Sequence, residues 1–298
     1  MNASRFSALL AIVALALWGC ASRPTPPSEW SEWKTRRLES VGGTNGWTTL
    51  VGLHWLAEGT NFAGTTATNH LVLDTPSLPP ALGMFVRSGD QVRFVAAPGA
   101  TLRAAGQPVQ DLELVTDAEE KPTRLESGTA SVVVIRRGDR LGLRVRDSRA
   151  PARRAFRGLR SFPYDSAWRL AGRFEPFAAP RTLRVPNVVG LTEEFPSPGA
   201  LVFAAAGKTH RLDVAMERGE TNFFVMFHDR TAADTTYGAG RFLYVKPPGP
   251  DGLVTIDFNL AYTPPCGFTR FATCPLPPRQ NRLPFAIRAG ELKPVGHP

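Results

Sequence analysis

The residues of this sequence that could do chemistry together are concentrated between Phe223 and Glu291. Asp229 follows a strongly apolar predicted strand, Arg241 begins the next strand, and Asp257 lies on the polar face of a third. Carboxylate and guanidinium groups form strong paired hydrogen bonds, so this set could bind the hydroxyl or carboxylate groups of a ligand. The stretch therefore predicts a polar cleft in the second half of the chain.

Five further side chains complete the predicted cleft: Tyr237, Asn259, Tyr262, Glu58 and Asn61. The tyrosines offer ring faces and hydroxyl groups, and the asparagines offer amide donors and acceptors. Glu58 and Asn61 come from a turn-like segment in the first half of the chain. Together these groups suit a hydroxyl-rich, glycan-like ligand.

The same carboxylates allow an enzymatic alternative, in which Asp229, Asp257 and Glu58 are the candidate catalytic residues. Two facing carboxyl groups suit a glycosidase-type hydrolase, with a separation of about 5 Å for retention and roughly 6.5–9.5 Å for inversion. A structural alternative also stays open. Asp and Asn often bond their own backbone in turns, and Arg241 could pair internally with either aspartate.

Signatures of most other chemistries are missing from the sequence. It contains no G-x-S-x-G elbow, P-loop or dinucleotide-binding glycine pattern, and its five histidines lack the spacing of metal ligands. We therefore expect no metal and no other cofactor. The net charge of +9 comes largely from dispersed arginines, whereas a nucleic-acid site would need a continuous basic strip, so no nucleic-acid partner is expected.

Residues 1–28 predict export and attachment to a membrane. Arg5 precedes an apolar run, residues 6–18, that is too short to span a bilayer and is typical of a signal peptide. The run ends at Leu-Trp-Gly-Cys, which predicts cleavage after residue 19 and acylation of Cys20 with chains such as palmitate. No Asp follows Cys20, so we expect the outer membrane facing the periplasm, if the host has one. Ordinary secretion and an uncleaved anchor helix are the alternatives.

The two remaining cysteines, Cys266 and Cys274, are predicted to form a disulfide. They are an even pair that closes a short loop in a chain expected in an oxidising compartment. Such a bond would stabilise the fold by roughly 2.5 kcal/mol in the chain-entropy model.

One helix is predicted, over residues 29–41, with Ser28 as its cap and with Trp30, Trp33 and either Arg37 or Leu38 on one face. The rest of the pattern predicts strands. Residues 131–137 and 141–147 flank a Gly-Asp-Arg turn and predict a hairpin whose leucines face the core and whose arginines face water.

The predicted fold is mainly β, with two packed β units of sandwich or barrel-like form and a short N-terminal helix. The expected segments are the signal peptide (1–19), the lipidated Cys and Pro-rich tether (20–28), the helix and first β unit (29–147), a crossing segment (148–181) and the second β unit (182–298).

Most of the chain after residue 19 resembles a family of bacterial and archaeal proteins known as domain of unknown function 1684, most densely in the second half. The resemblance is carried by Thr-Tyr-Gly at 236–238, Asp-Phe-Asn at 257–259, Pro-Pro-Cys at 264–266 and Cys-Pro at 274–275. The segment GLHWLAEGTNFAG at 52–64 also fits. The sequence departs from the family pattern at Thr263, where Asn is usual, and at Gly267, where Ala is usual. The resemblance implies membership and assigns no activity.

We therefore expect an envelope lipoprotein that binds a polar, glycan-like ligand in a cleft of the second β unit. An envelope hydrolase with paired carboxylates is the first alternative, and a structural or assembly partner is the second. The expected partners are the membrane, through Cys20, and an envelope glycan or protein. A shallow aromatic groove would favour the binding protein, and a deep pocket with facing carboxylates would favour the hydrolase.

Overall fold

The structure, a computed structural model, describes residues 26–296 and shows a mainly β protein built from two packed β units, as predicted. Its two α-helices are α1, Ser28–Gly42, and α2, Pro151–Ala155. The predicted signal peptide, Cys20 and most of the tether lie outside the described residues. Within residues 26–296, no helix has both the length and the apolar character needed to cross a bilayer.

The first unit is a sandwich of two sheets around one apolar core. Its strands are β1 Leu50–Trp55, β2 Gly59–Gly64, β3 Leu71–Val72, β4 Gly83–Ser88, β5 Gln91–Ala96, β6 Leu102–Ala104, β7 Gln107–Val109, β8 Asp111–Leu114, β9 Arg124–Ser127, β10 Ala130–Arg137 and β11 Arg140–Asp147. One sheet has the order β1-β11-β10-β9-β6-β7, and the other has the order β3-β2-β4-β5-β8. Side chains from both sheets, such as Phe85, Phe94, Leu125 and Leu143, fill the space between them.

The second unit combines a four-stranded sheet with a buried two-stranded sheet. Its strands are β12 Arg169–Pro186, β13 Thr192–Ala205, β14 Lys208–Asp213, β15 Phe223–Phe227, β16 Arg241–Val245 and β17 Leu253–Asp257. The order is β14-β13-β12-β17 in the larger sheet, and β15 pairs with β16 in the smaller one. Every residue of β15 is buried, as its continuous apolar sequence predicts.

The hairpin of β10 and β11 confirms the predicted register but not the predicted environment of its arginines. Leu141, Leu143 and Val145 lie in the core of the first unit. Arg144 and Arg146 were expected in water, yet both guanidinium groups lie near the ring of Trp47 and are largely buried. The reason is that the second face of this sheet is covered by the turn at 47–49 and by the second β unit.

The segment 148–181, predicted to cross between the units, already contains most of β12. This strand begins at Arg169 and pairs with β13 along nearly its whole length, with an irregularity between Pro176 and Arg181. Most of its middle residues are exposed. Because neither face of that part is buried, its sequence lacks the alternation of apolar residues that marks a strand.

Helix α1 docks on the second unit through Arg37. The helix begins at Ser28, which therefore does not act as its cap, and no side chain caps the N-terminal turn. The Nε of Arg37 lies 2.9 Å from a carboxylate oxygen of the buried Glu291, and its Nη2 donates to the carbonyl oxygen of Thr263 at 2.6 Å. Leu38 is 46% exposed, so Arg37 occupies the buried face.

Candidate functional site

Asp229 and Arg241 form a buried ion pair instead of the floor of a cleft. Asp229 is 2% exposed and Arg241 is fully buried, with 3.1 Å between Oδ1 and Nη2. Arg241 also donates to the carbonyl oxygens of Ile287, at 3.0 Å, and Ala289. Asp229 accepts from the hydroxyl of Thr231 at 2.8 Å and from the N–H of Ile287 at 2.7 Å. The pair fastens the C-terminal segment to β15 and β16.

Asp257 and Asn259 are also buried and bind the chain itself. Oδ1 of Asp257 accepts from the N–H of Asn259 at 3.0 Å and from its Nδ2 at 2.8 Å. The amide of Asn259 in turn bonds both the N–H and the carbonyl oxygen of Asp165. The predicted polar strand face does not form, because β17 ends at Asp257 and the chain enters a 3-10 turn over Phe258–Leu260.

Glu58 and Asn61 stay in the first unit and do not join the second-unit candidates. Glu58 is exposed, accepts from the N–H of Gly89 at 3.0 Å and lies 3.6 Å from Arg87. Asn61 is buried and bonds the N–H and the carbonyl oxygen of Ala57, which closes the turn between β1 and β2. Both residues therefore organise this turn.

The predicted disulfide between Cys266 and Cys274 is wrong, because both residues are buried free thiols in the described structure. The N–H of Cys266 donates to Sγ of Cys274 at 3.2 Å. A hydrogen bond from Cys274 lowers the pKa of Cys266, whereas burial raises the pKa of Cys274. Both side chains pack as small apolar groups beside Phe224 and Phe242. Tyr237 donates its hydroxyl to the carbonyl oxygen of Cys266 at 3.2 Å.

A groove lies between the two β units, and we call its more polar part the arginine well. The well has a volume of about 620 Å³. It is lined by Trp47, Arg136, Arg137, Gly138 and Arg144 of the first half and by Arg184, residues 192–195, Phe242, Pro265 and residues 272–275 of the second.

The adjoining part of the groove, which we call the aromatic shelf, has a volume of about 360 Å³. Its lining residues are Trp33, Arg36, Arg37, Ser40, Trp47, Phe242, Tyr244, Tyr262 and Pro265. Because Trp47, Phe242 and Pro265 line both parts, the well and the shelf form one continuous groove. The rings of Tyr244 and Tyr262 are stacked, with centroids 6.1 Å apart and an interplanar angle of 18°.

Two arginines share one aspartate at the well. Asp117 lies 3.0 Å from Nη2 of Arg137 and 3.1 Å from its Nη1, but 3.9 Å from Nη1 of Arg144. The hydroxyl of Thr273 accepts from Nε of Arg137 at 2.8 Å and from Nη2 of Arg144 at 3.5 Å. Burial, and next the charge of Arg137, lower the pKa of Arg144 to about 10.

Two partly buried carboxyl groups are associated with the groove, Glu193 as a lining residue and Glu217 through its hydrogen bond to Tyr244. Glu193 lines the well and accepts from Nδ2 of Asn187 at 2.8 Å. Glu217 accepts from the hydroxyl of Tyr244 at the shelf. Burial raises the pKa of both groups, and the negative charge of Glu193 adds to the rise at Glu217. Such carboxyl groups can donate a proton nearer neutral pH than an exposed glutamate can.

Of the predicted ligand-binding residues, the structure places only Tyr262 in the lining of the groove. The sequence did not single out the other residues that line it. Arg137 and Arg144 belong to the hairpin, Glu193 belongs to β13 of the second unit, and Trp47 belongs to the turn at 47–49. The arginine-rich outer face of β10 and β11 could have indicated this site in the sequence. Arginines stack on tryptophan rings and bind ligands at covered sheet faces. Within the described residues, no three His, Cys, Asp or Glu side chains cluster as a metal site would require.

Comparison with solved structures gives only low structural similarity. The solution NMR structure of an uncharacterized protein of Haloarcula marismortui is 29% identical, with a TM-score of 0.42, and covers 49% of this chain and 83% of its own. A crystal structure of the FhaA FHA domain, complexed with an intracellular domain, is 14% identical, with a TM-score of 0.23, and covers 32% of this chain and 97% of its own. Comparison with curated proteins gave no match.

The family resemblance of the second half is confirmed. Residues 154–292 match the family model described as Protein of unknown function (DUF1684), whereas the segment at 52–64 lies outside the matched range. The match includes β12 to β17, the buried Asp229–Arg241 pair and Glu291. Residues 154–292 therefore match the DUF1684 family of proteins of unknown function.

Proposed function

We propose that this protein is an envelope lipoprotein that binds a hydroxyl-rich, glycan-like ligand in the groove between its β units. The observation that carries the proposal is the continuity of the aromatic shelf with the arginine well. Aromatic faces can pack against the apolar faces of sugar rings, while a few oriented polar groups fix the position of the ligand. The groove replaces the cleft predicted around Asp229 and Asp257.

The shelf is suited to stacking because its rings are held in place from behind. The guanidinium of Arg37 lies 4.6 Å from the ring centroid of Tyr262, and Phe242 meets the same ring edge to face at 5.8 Å. Tyr244 stacks on Tyr262, is 37% exposed and is oriented by Glu217. A ligand that stacks on Tyr244 would therefore lose little energy to the ordering of side chains.

The polar groups of the well complement such a ligand. Arg137 and Arg144 are donors, and Glu193 and Thr273 are acceptors, among the residues that line the well. Alternating donors and acceptors match sugar hydroxyl groups, each of which both donates and accepts hydrogen bonds. The net charge of +9 also favours association with anionic envelope polymers.

The experiment that tests this function measures binding of soluble envelope glycan fragments by isothermal titration calorimetry. We expect Tyr244→Ala to weaken binding about tenfold, since loss of one stacking partner costs roughly 1–1.5 kcal/mol. Phe62→Ala is the matched control, because Phe62 is a 48% exposed aromatic residue of β2 that does not line the groove. Absence of glycan binding, or equal affinity of the wild type and Tyr244→Ala, would contradict the proposal.

The lipid anchor is a separate part of the proposal and is supported by the sequence of residues 1–22. Metabolic labelling with a palmitate analogue should label the wild-type protein and not a Cys20→Ala variant. The wild type should fractionate with membranes and the variant should not. Equal labelling of both proteins would show that Cys20 is not the acylated residue.

A hydrolase remains a second candidate, and Glu193 and Glu217 are the observation that favours it. They are partly buried carboxyl groups with raised pKa values, one lining the well and the other bonded to Tyr244 of the shelf, as a general acid requires. Release of reducing ends from bound glycans would reveal this activity. Glu217→Gln and Glu193→Gln should each abolish it, and Glu58→Gln, on the exposed turn of the first unit, should not.

A further inference from the structure

The arginine well contains a buried cation, Arg144, whose charge is only partly compensated by the carboxylates of residues 26–296. The side chain of Arg144 is 11% exposed, and its nearest carboxylate oxygen is 3.9 Å away on Asp117. That carboxylate already receives both terminal nitrogens of Arg137 at 3.0 and 3.1 Å. Two positive charges therefore share one negative charge, and the carboxylate lies farther from Arg144 than from Arg137.

The hydrogen bonds of Arg144 are equally incomplete. Nε of Arg144 has no hydrogen-bond partner among residues 26–296, and Nη2 reaches only the hydroxyl of Thr273, at 3.5 Å. This distance is at the outer limit of a hydrogen bond. Buried charged donors are normally paired, because an unpaired one costs free energy on removal from water.

The neighbouring Arg146 shows what a satisfied arginine looks like on the same strand face. Its Nη1 donates to the carbonyl oxygens of Asn45 and Gly46, at 2.9 and 2.8 Å, and to the hydroxyl of Thr49 at 3.1 Å. Burial lowers the pKa of both arginines to about 10. Of these two arginines, only Arg144 lines the groove.

The acidic residues of the well are committed elsewhere. Glu194 lies 3.0 Å from Nε of Arg184, and Glu193 is held by Asn187 at 2.8 Å. The guanidinium of Arg136 is paired at 2.8 Å with Asp90. The donors of Arg144 are therefore left for a group that enters the groove.

We infer that the arginine well binds the oxyanion of a ligand, a carboxylate or a phosphate, with Arg144 as its principal donor and Arg137 beside it. The inference rests on the proposed function and narrows the ligand to acidic glycans. The planar guanidinium fork matches both oxyanions in geometry, and the aromatic shelf next to the well would hold the adjoining sugar ring.

The test compares three probes by calorimetry on the full chain: an oligogalacturonide, its methyl ester and a phosphorylated oligomannoside. We expect the wild type to bind one or both acidic probes about tenfold to hundredfold more tightly than the ester, as charged hydrogen bonds allow. Arg144→Met should remove this preference and leave the affinity for the ester unchanged. Arg93→Gln, which removes the same charge from an exposed pair with Asp111, should bind as the wild type does.

The two acidic probes separate a carboxylate site from a phosphate site. Equal affinity of the wild type for the acidic probes and the ester would overturn the inference while leaving the proposed function in place. Tight acid binding that survives in Arg144→Met would overturn the role of Arg144.

A second measurement keeps the inference falsifiable if no oligosaccharide binds, an outcome that would count against the proposed function. Sodium acetate or inorganic phosphate, replacing chloride at constant ionic strength, should raise the Tm of the wild type. The same exchange should not raise the Tm of Arg144→Met. Absence of any anion-specific rise in the wild type would overturn the inference.

Discussion

Arg241 and Arg144 are both buried arginines, one in each β unit, but their guanidinium groups are compensated differently. Arg241 contacts its own aspartate at 3.1 Å and two backbone carbonyl groups. Arg144 shares an aspartate at 3.9 Å and has one long bond to a hydroxyl. In both arginines, Nε has no hydrogen-bond partner among the described residues. The two residues therefore differ in the partners of their terminal nitrogens.

The comparison shows that burial of a charged residue does not by itself identify a binding site. Arg241 is enclosed by groups of its own chain and therefore stabilises the fold. Arg144 lines an open groove, and its hydrogen-bond donors are incompletely paired. A ligand that supplies acceptors there would gain binding free energy. The distinguishing observation is the balance of donors and acceptors around the charge.

The largest expected effect on stability comes from breaking the buried Asp229–Arg241 ion pair. Arg241→Met leaves Asp229 buried without its cation, so the free energy of unfolding should fall by about 3–5 kcal/mol. Urea unfolding followed by circular dichroism measures this loss. The double variant Asp229→Asn/Arg241→Met contains no unpaired buried charge and should be more stable than Arg241→Met. A loss below about 1 kcal/mol for the single variant would remove the contrast with Arg144.

An intermediate effect is expected at Asp147, a buried carboxylate that accepts hydrogen bonds from hydroxyl groups and a backbone N–H and from no guanidinium group. Burial would raise the pKa of Asp147, but hydrogen bonds from Thr75, the N–H of Arg149, Thr129 and Ser77 outweigh it and lower the pKa to about 2. Asp147→Asn should therefore cost about 2 kcal/mol at neutral pH.

The pH dependence of that effect has a definite sign. Because the folded pKa of Asp147 is below its unfolded value, its contribution is complete above about pH 4 and is lost as the pH falls toward about 2. The difference in stability between wild type and Asp147→Asn should shrink over this range. A difference that stays constant from pH 7 to pH 2 would contradict the assignment.

The smallest effect on stability is expected at Arg144 itself. Replacement by Met removes a poorly compensated buried charge, so the free energy of unfolding should change by less than about 1 kcal/mol or rise. Urea unfolding of Arg144→Met beside Arg241→Met gives the comparison directly. A loss of 3 kcal/mol or more at Arg144 would show that its charge is needed by the fold and is not held for a ligand.

The sequence predicted strands that bury apolar residues, in alternation or in a continuous run, and missed the strand whose middle is exposed. The hairpin of β10 and β11 follows from its regular leucine and valine positions, and β15 follows from its apolar run. Strand β12 was missed because its exposed middle has no apolar period. The disulfide was wrong because spacing predicted that Cys266 and Cys274 lie close together but could not specify a bond.

The site was harder to predict because the hydrogen-bond partners of a buried charge can come from residues far away in the sequence. The partners of Arg241 include backbone carbonyl groups 46 and 48 residues away, which no side-chain pattern reveals. Arg144 is covered by Trp47 and by Thr273, which is 129 residues away. Sequence chemistry therefore identified Arg241, which holds the fold, and did not identify Arg144, which lines the groove.

The contact between Arg37 and Glu291 has a consequence for how the protein is made. The two residues are separated by 254 positions, so α1 cannot dock until nearly the whole chain has left the ribosome. Trp33 and Arg37 of α1 also line the aromatic shelf. The shelf is therefore assembled last, and a chain that stops before Glu291 would lack it even if the first unit had already folded.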